Sequence, residues 1–200
     1  MNAFTSRLRL ALWGLVALAA VAATLLFFVT RPTPESGGIG GGSYALVDQR
    51  GNPVDQSMLV GQPSLLFFGY THCPDVCIAV LSDVSLALQR LAPADRDHIQ
   101  LIFITTDPAR DNEKQIRHYL DRFNPTFVGL TGQMAAIKRA ASEVGVDIEG
   151  KRKLSSGGYE VGHSAQVIGF SRNSGVVIWT PGTPVAALKH DFALLVARSR

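Results

Sequence analysis

The stretch SLLFFGYTHCPDVC, Ser64 to Cys77, decides the reading of the chain. Ser64 to Tyr70 is a continuous apolar run after Pro63, as a strand buried on both faces requires. The chain then turns into a helix start. Pro74 suits the first helical position, which puts Cys73 at the cap and Cys77 one turn further on the same face. Free N–H groups and the helix dipole favour negative charge there and lower a thiol pKa. Two thiolates one turn apart can chelate one soft metal ion. They can also close into a disulfide, because Cα atoms four apart in a helix are roughly 6 Å apart. A purely structural disulfide is a poor reading, since so short a loop constrains the unfolded chain little. The pair alone admits both a metal and a redox role.

Working outward, Tyr44 to Val47 alternates as a short strand before a turn at Gln49–Asn52. Cys73 to Leu91 carries Val76, Val80, Leu81, Val84, Leu88 and Leu91 at helical spacing. Gln100 to Thr105 is a second buried strand. Asp111 is expected to cap a helix running to about Phe123. Thr126 to Leu130 reads as a strand, and Gln133 to Val144 as a helix with Met134, Ile137, Ala141 and Val144 on one side. Ala165–Phe170 and Val176–Trp179 are strands joined by the hairpin signal Arg172–Gly175. Thr183 and Pro184 are an N-cap and first-turn proline for a last helix to about Val196. This order implies an α/β sandwich of the thioredoxin-like kind over residues 44–200, with parallel and antiparallel strands.

His163 stands just ahead of the strand Ala165–Phe170. In a thioredoxin-like sheet that position faces the helix start bearing the cysteines. Thioredoxin-type oxidoreductases have a cis-proline there, whereas this chain has Gly162-His163-Ser164 and no proline nearby. An imidazole opposite two thiolates makes a three-donor set. Such a set suits Cu(I) by softness, and Cu(II) also accepts imidazole with thiolate. Zinc with an open position takes the same donors.

The remaining character of the chain lies at its N-terminus. Of 200 residues, 19 are Lys or Arg and 16 are Asp or Glu, and the net charge is +3. Arg7, Arg9 and Arg31 account for that excess, since the first 31 residues hold no acid. The rest is neutral, which argues against a nucleic-acid partner. With 46% hydrophobic residues the chain is neither disordered nor collagen-like, and two cysteines exclude a disulfide-dense mini-protein.

Leu10 to Val29 has no charge and a single hydroxyl. A helix of that length spans roughly 30 Å, enough for a bilayer core. Residues 1–9 then form a short cytoplasmic tail and 10–29 a transmembrane anchor into the lipid bilayer. Residues 30–43 form a linker with two prolines and five glycines. Cleavage after Ala20-Val21-Ala22 is the competing reading, but it would leave Leu25–Val29 exposed at the new terminus. Both readings export the domain. The short segment before the apolar run leaves no room for a transit peptide. The expected setting is a bacterial inner membrane, with the domain facing the periplasm or cell exterior.

Gly69-Tyr70-Thr71-His72-Cys73-Pro74-Asp75-Val76-Cys77 resembles the signature of the Sco/SenC family, membrane-anchored copper chaperones for cytochrome c oxidase assembly. Thr106–Asp111, Phe127–Gly132 and His163-Ser164-Ala165 resemble the same family, in the same order, so the resemblance covers roughly residues 44–197. It implies a thioredoxin-like fold in which Cys73, Cys77 and His163 bind copper. It also implies delivery of copper to the dinuclear centre of oxidase subunit II, with a copper donor protein upstream, or thiol reduction of that subunit's cysteines. The chain departs from the family pattern at two places. Ile78 stands where many members have proline, a helix-interior change. Gly162 stands where an aspartate usually precedes the histidine, which removes a carboxylate that would tune the site.

Other residues have plainer readings. His72 is a polar loop residue, Asp75 a first-turn acid, and Asp107 a turn residue ahead of Pro108. Lys151-Arg152-Lys153 is a solvated loop, and Trp179 a strand residue in the core or at its edge. Three functions fit: a copper metallochaperone, a thiol–disulfide reductase cycling Cys73 and Cys77, and a thiol peroxidase. The last needs one activated cysteine with an arginine near it, and none is close in sequence. In the first reading the chain is not an enzyme.

Overall fold

The computed structural model describes residues 12–24, 46–54, 62–155, 157–171 and 176–199. The chain divides into a unit up to Gly37 and a unit from Gly38 onward. In the first, residues 12–24 form helix α1. Leu12, Trp13, Leu15, Val16, Leu18 and Val21 are each more than half exposed on it. Among the described residues no helix is long and apolar enough to cross a membrane. The expected span 10–29 runs past α1 at both ends, and its remainder lies outside the described residues. So do the tail 1–9, the linker 30–43 and the start of the first expected strand.

The second unit runs β1 (Leu46–Asp48), β2 (Pro53–Val54), β3 (Ser64–Gly69), α2 (Val76–Gln89), α3 (Pro93–Arg96), β4 (Gln100–Thr105), α4 (Glu113–Leu120), β5 (Val128–Gly132) and α5 (Met134–Glu143). It continues with β6 (Ile148–Lys153), β7 (Tyr159–His163), β8 (Val167–Phe170), β9 (Val176–Trp179) and α6 (Val185–Ala197). Seven strands form one mixed sheet in the order β2-β1-β5-β4-β3-β8-β9. β3, β4 and β5 are parallel, with Phe67 beside Phe103 and Gly69 beside Thr105. β8 runs antiparallel to β3, and β9 to β8. All six residues of β3 are buried, as its unbroken apolar run demands. α2 packs against α6, and α4 against β5. Phe67, Phe68, Phe103, Phe127 and Phe192 are fully buried and form the bulk of the core.

The expected α/β order is present, with local corrections. α2 begins at Val76, not Cys73, and Asp75 is its N-cap residue without a side-chain cap bond. Asp111 does not cap α4. Asn112 does, accepting from the Gln115 N–H at 2.9 Å, while Asp111 is wholly buried. Thr183 does not cap α6 either. Its hydroxyl donates to the Thr180 carbonyl at 2.7 Å, and Pro184 occupies the cap position. β5 starts two residues later than expected.

The largest correction is at Lys151-Arg152-Lys153, which is not a loop but the end of β6. β6 and β7 form an antiparallel ribbon outside the main sheet. Five of the six β6 residues are at least partly exposed, so no apolar alternation marks it in the sequence.

Gly129 on β5 shows how closely α4 is applied to the sheet. A methyl group there would stand 2.1 Å from Ile116 Cγ2 and 2.8 Å from Leu120 Cδ1. Gly129→Ala is expected to destabilise the domain by about 1–3 kcal/mol through overpacking. Denaturant unfolding should show a lower midpoint with an unchanged slope.

Candidate metal centre

β3 ends at Gly69, and the missing side chain there has a purpose. A Cβ on Gly69 would stand 3.1 Å from Cys77 Sγ and 2.9 Å from the Phe103 ring. Glycine thus lets the Cys77 sulfur lie against the end of the central strand. The chain then turns, with the Cys73 N–H donating to the Tyr70 carbonyl at 3.1 Å. That turn delays the helix to Val76. The Cys73 sulfur in effect replaces a capping oxygen, since it accepts the Cys77 N–H at 3.5 Å. Both cysteines are free thiols and buried.

His163 ends β7, opposite Ile148 in the ribbon. Its Nε2 is 3.9 Å from Cys77 Sγ. Its Nδ1 is 3.0 Å from the Ser164 carbonyl oxygen. A carbonyl only accepts, so Nδ1 is the nitrogen that donates there, and the tautomer with that proton alone turns its Nε2 lone pair to the sulfur. Tyr70 meets the imidazole edge-on at a centroid distance of 5.9 Å. A cleft of about 580 Å³ runs past Tyr70, Cys73, Pro74, Glu149, Gly162 and His163. A larger groove of about 720 Å³ lies beside α4, with Arg50, Lys114 and Arg117 in its wall, but no cysteine reaches it.

The two thiols are electrostatically unlike. Cys73 is lowered to about 6, first by the hydrogen bond from the Cys77 thiol and then, against its own burial, by the Cys77 and Asp75 N–H groups and His163. Cys77 is pushed well up, because it donates to Cys73, is deeply buried and faces the Cys73 charge. The first proton therefore leaves the sulfur at the cleft, and the second stays on the sulfur in the core. Burial and the charge at Cys73 also raise Tyr70 to about 12.

The donors suit a soft ion by type. Thiolate and imidazole ligands at about 2.3 and 2.05 Å from one ion, the distances known for zinc, stand roughly 3.5–3.8 Å apart. The Cys77–His163 separation is close to that. Among the described residues no three His, Cys, Asp or Glu side chains are already drawn around a common point. A three-donor shell therefore needs a further side-chain movement.

Behind the thiols lie two fully buried carboxylates. Asp111 accepts from the Thr71 N–H at 2.9 Å, the Thr71 hydroxyl at 2.6 Å and the Thr105 hydroxyl at 2.7 Å. This explains why it is unavailable as a cap. Asp107 is more than a turn residue: it pairs with Arg110 and accepts from the Tyr159 hydroxyl at 2.9 Å. His72 is exposed beside Thr71 and Asp111, in keeping with a polar loop role. Asp75 is exposed at the cap position rather than within the first turn. Trp179 is a buried strand residue, its indole N–H donating to Asp191 at 2.8 Å.

The sequence pattern does not point to Glu149 or Tyr159, because both lie in the ribbon, where only Lys151–Lys153 carry a reading, as a solvated loop. Glu149 is the extra residue of a bulge between Ile148 and Gly150. A Cβ on Gly162 would stand 2.7 Å from Glu149 Oε2. A carboxylate thus occupies the space beside residue 162, supplied from the neighbouring strand.

A mixed α/β sandwich with an asymmetric thiol pair under an imidazole defines a thiol-based metal or redox protein of thioredoxin-like build. The SCO1/SenC family model matches residues 33–188, and the chain belongs to that family. It is 43% identical over 98 residues to protein sco1 of Schizosaccharomyces pombe, covering 49% of this chain and 37% of that one. The chain spans less than two thirds of the length of the curated relatives it matches. Among solved structures it is similar to Bradyrhizobium japonicum ScoI with copper bound, with a TM-score of 0.69 and 33% identity, covering 79% of this chain and 99% of that one. It is also similar to Arabidopsis thaliana ScoI with copper bound, with a TM-score of 0.70 and 28% identity, over 80% and 99%.

The unlike thiols lead to a direct expectation. Thiolate is the reactive form, so alkylation of Cys73 in the reduced, metal-free protein should rise as pH increases through about 6. Cys77 should stay slow throughout. Peptide-resolved iodoacetamide labelling across pH 4–9 reads both, and a Cys73 midpoint near the ordinary thiol value of 9.0 would contradict the asymmetry.

Proposed function

We propose that the chain is a membrane-anchored copper metallochaperone serving cytochrome c oxidase assembly. Copper is its cargo, held by Cys73, Cys77 and His163. The observation that carries this reading is the His163 Nε2 lone pair 3.9 Å from Cys77 Sγ, beside a second free thiol. Membership of SCO1/SenC and the copper-bound ScoI structures support it.

The asymmetry of the thiols suits a carrier. Cys77 gives up its proton only when a cation takes its place, so it serves as the inner, retaining ligand. Cys73 lines the open cleft and is the donor an incoming partner reaches first. Copper can then leave one ligand at a time for the partner's own thiolates. The receiver in this reading is the dinuclear copper site of oxidase subunit II, and a separate donor protein loads the chain. Residues 10–29 hold it in a bacterial inner membrane, with the domain on the periplasmic or outer side.

A second reading, a thiol–disulfide reductase for the same subunit, draws on the same asymmetry. The Cys73 thiolate attacks a partner disulfide and expels one partner thiolate, which takes up a proton. Cys77 then attacks the mixed disulfide, loses its proton and expels the second. The dithiol is oxidised by two electrons and the partner disulfide is reduced by two. His163 is not required for that exchange.

Ligand dependence separates the two. In the full chain, reduced, anaerobic and in mild detergent, the chaperone reading expects one copper per chain. His163→Ala should weaken retention about 10- to 100-fold, and Cys73→Ser at least as much. If His163→Ala leaves copper retention and oxidase assembly intact while Cys73→Ser abolishes assembly, the reductase reading replaces it.

A further inference from the structure

His163 is carried by a ribbon that pairs with no other strand and is held to the core by the buried side chains of Val161 and Ile148. The β6–β7 ribbon pairs only with itself and stands outside the seven-stranded sheet. An isolated two-stranded ribbon is marginal in water, so its position must come from tertiary anchors. At the His163 end, β8 follows within four residues and ties the ribbon to the sheet. The other end of β7 is Tyr159, roughly 13 Å away at about 3.3 Å per residue.

Tyr159 is where that end is fastened. Its hydroxyl donates to Oδ1 of Asp107 at 2.9 Å, and Asp107 is fully buried at the end of β4. Arg110 pairs with the other oxygen of Asp107. Its guanidinium carbon also lies 3.7 Å from the centroid of the Tyr159 ring. Lys151 closes the group from β6, 3.0 Å from the Tyr159 hydroxyl and 3.5 Å from Asp107 Oδ1. The same guanidinium stands 5.7 Å from the ring of Tyr70, which meets the imidazole of His163 edge-on.

A hydrogen bond to an ionised, buried carboxylate is of the strong kind, and leaving such a group short of donors is costly. The ribbon end is therefore drawn onto a fixed point of the main sheet. We propose that the Tyr159 hydroxyl bonded to Asp107, with Arg110 against the ring, is the latch that positions His163 over the cysteine pair. Tyr159, Asp107 and Arg110 are positioning residues that do not touch the cargo. The latch rests on the reading of His163 as a copper ligand.

A double-mutant cycle tests it. Tyr159→Phe keeps the ring, with Arg110 and Lys151 over its face, but removes the hydroxyl and with it the bonds to Asp107 and Lys151. The full chain in detergent is loaded with Cu(I) and challenged with a Cu(I)-chelating dye, as parent, Tyr159→Phe, His163→Ala and the double variant. Unfolding midpoints of the metal-free proteins are read alongside. The latch expects Tyr159→Phe to weaken copper retention about tenfold, with no further loss when added to His163→Ala. An unchanged affinity in Tyr159→Phe overturns it. The same loss in both backgrounds also overturns it, because the hydroxyl would then act on the fold rather than through the imidazole. If His163→Ala itself keeps full copper, the three-ligand site fails, and the latch fails with it.

Discussion

Parallel pairing of β3 with β4 is the constraint on which the site depends. Because Gly69 lies beside Thr105 in that register, both strands end at one edge of the sheet. The loop that carries Cys73 and the loop that carries Asp107 and Asp111 must emerge side by side. The Thr106 N–H donates to the Gly69 carbonyl at 2.6 Å, and Asp111 bonds Thr71 in the first loop and Thr105 at the end of β4. An antiparallel partner would have sent the second loop to the opposite edge. The apolar β3 therefore does more than fill the core: it delivers two polar loops to one place.

The charges in that place form a sequence from core to cleft. Asp111 is fully supplied with donors, and its negative field adds to the burial that keeps Cys77 protonated. Cys73 has the Cys77 thiol, two backbone N–H groups and the imidazole around it, and so holds its negative charge readily. In the carrier reading a cation entering from the cleft meets the thiolate first and displaces the proton of the inner thiol last. That reading divides retention and accessibility between two residues of the same type by their surroundings alone.

The strands and helices that bury a full face were legible in the sequence, because burial leaves a period. The runs at Ser64–Tyr70 and Gln100–Thr105 and the helical spacing from Val76 to Leu88 needed nothing more. The cysteine spacing and the histidine ahead of β8 were legible for a similar reason, being tied to element boundaries. What escaped depends on contacts between distant segments. Asp111 and Asn112 are adjacent acceptors, and the placement of Thr71, 40 residues earlier, together with Thr105 decides which one is left to cap α4. The ribbon escaped because Lys151, Arg152 and Lys153 are exposed, and their partners Tyr159 and Glu160 lie across a turn.

The carrier and reductase readings share one pair of sulfurs, and the histidine is where they part. Oxidation to a disulfide consumes both thiolate ligands, so copper can be held only by the reduced pair. In the reduced pair the Nε2 lone pair already faces the sulfur that keeps its proton longest. At 3.9 Å that sulfur and nitrogen are slightly farther apart than the roughly 3.5–3.8 Å between two such ligands of one ion. In the carrier reading a metal can therefore bridge Cys77 and His163 once the thiol proton, held toward Cys73, has left. Thiol exchange has no use for such an arrangement, since its attack runs through Cys73 at the cleft. In the carrier reading it is the position of His163, more than the cysteine spacing, that would let this edge of the sheet hold an ion.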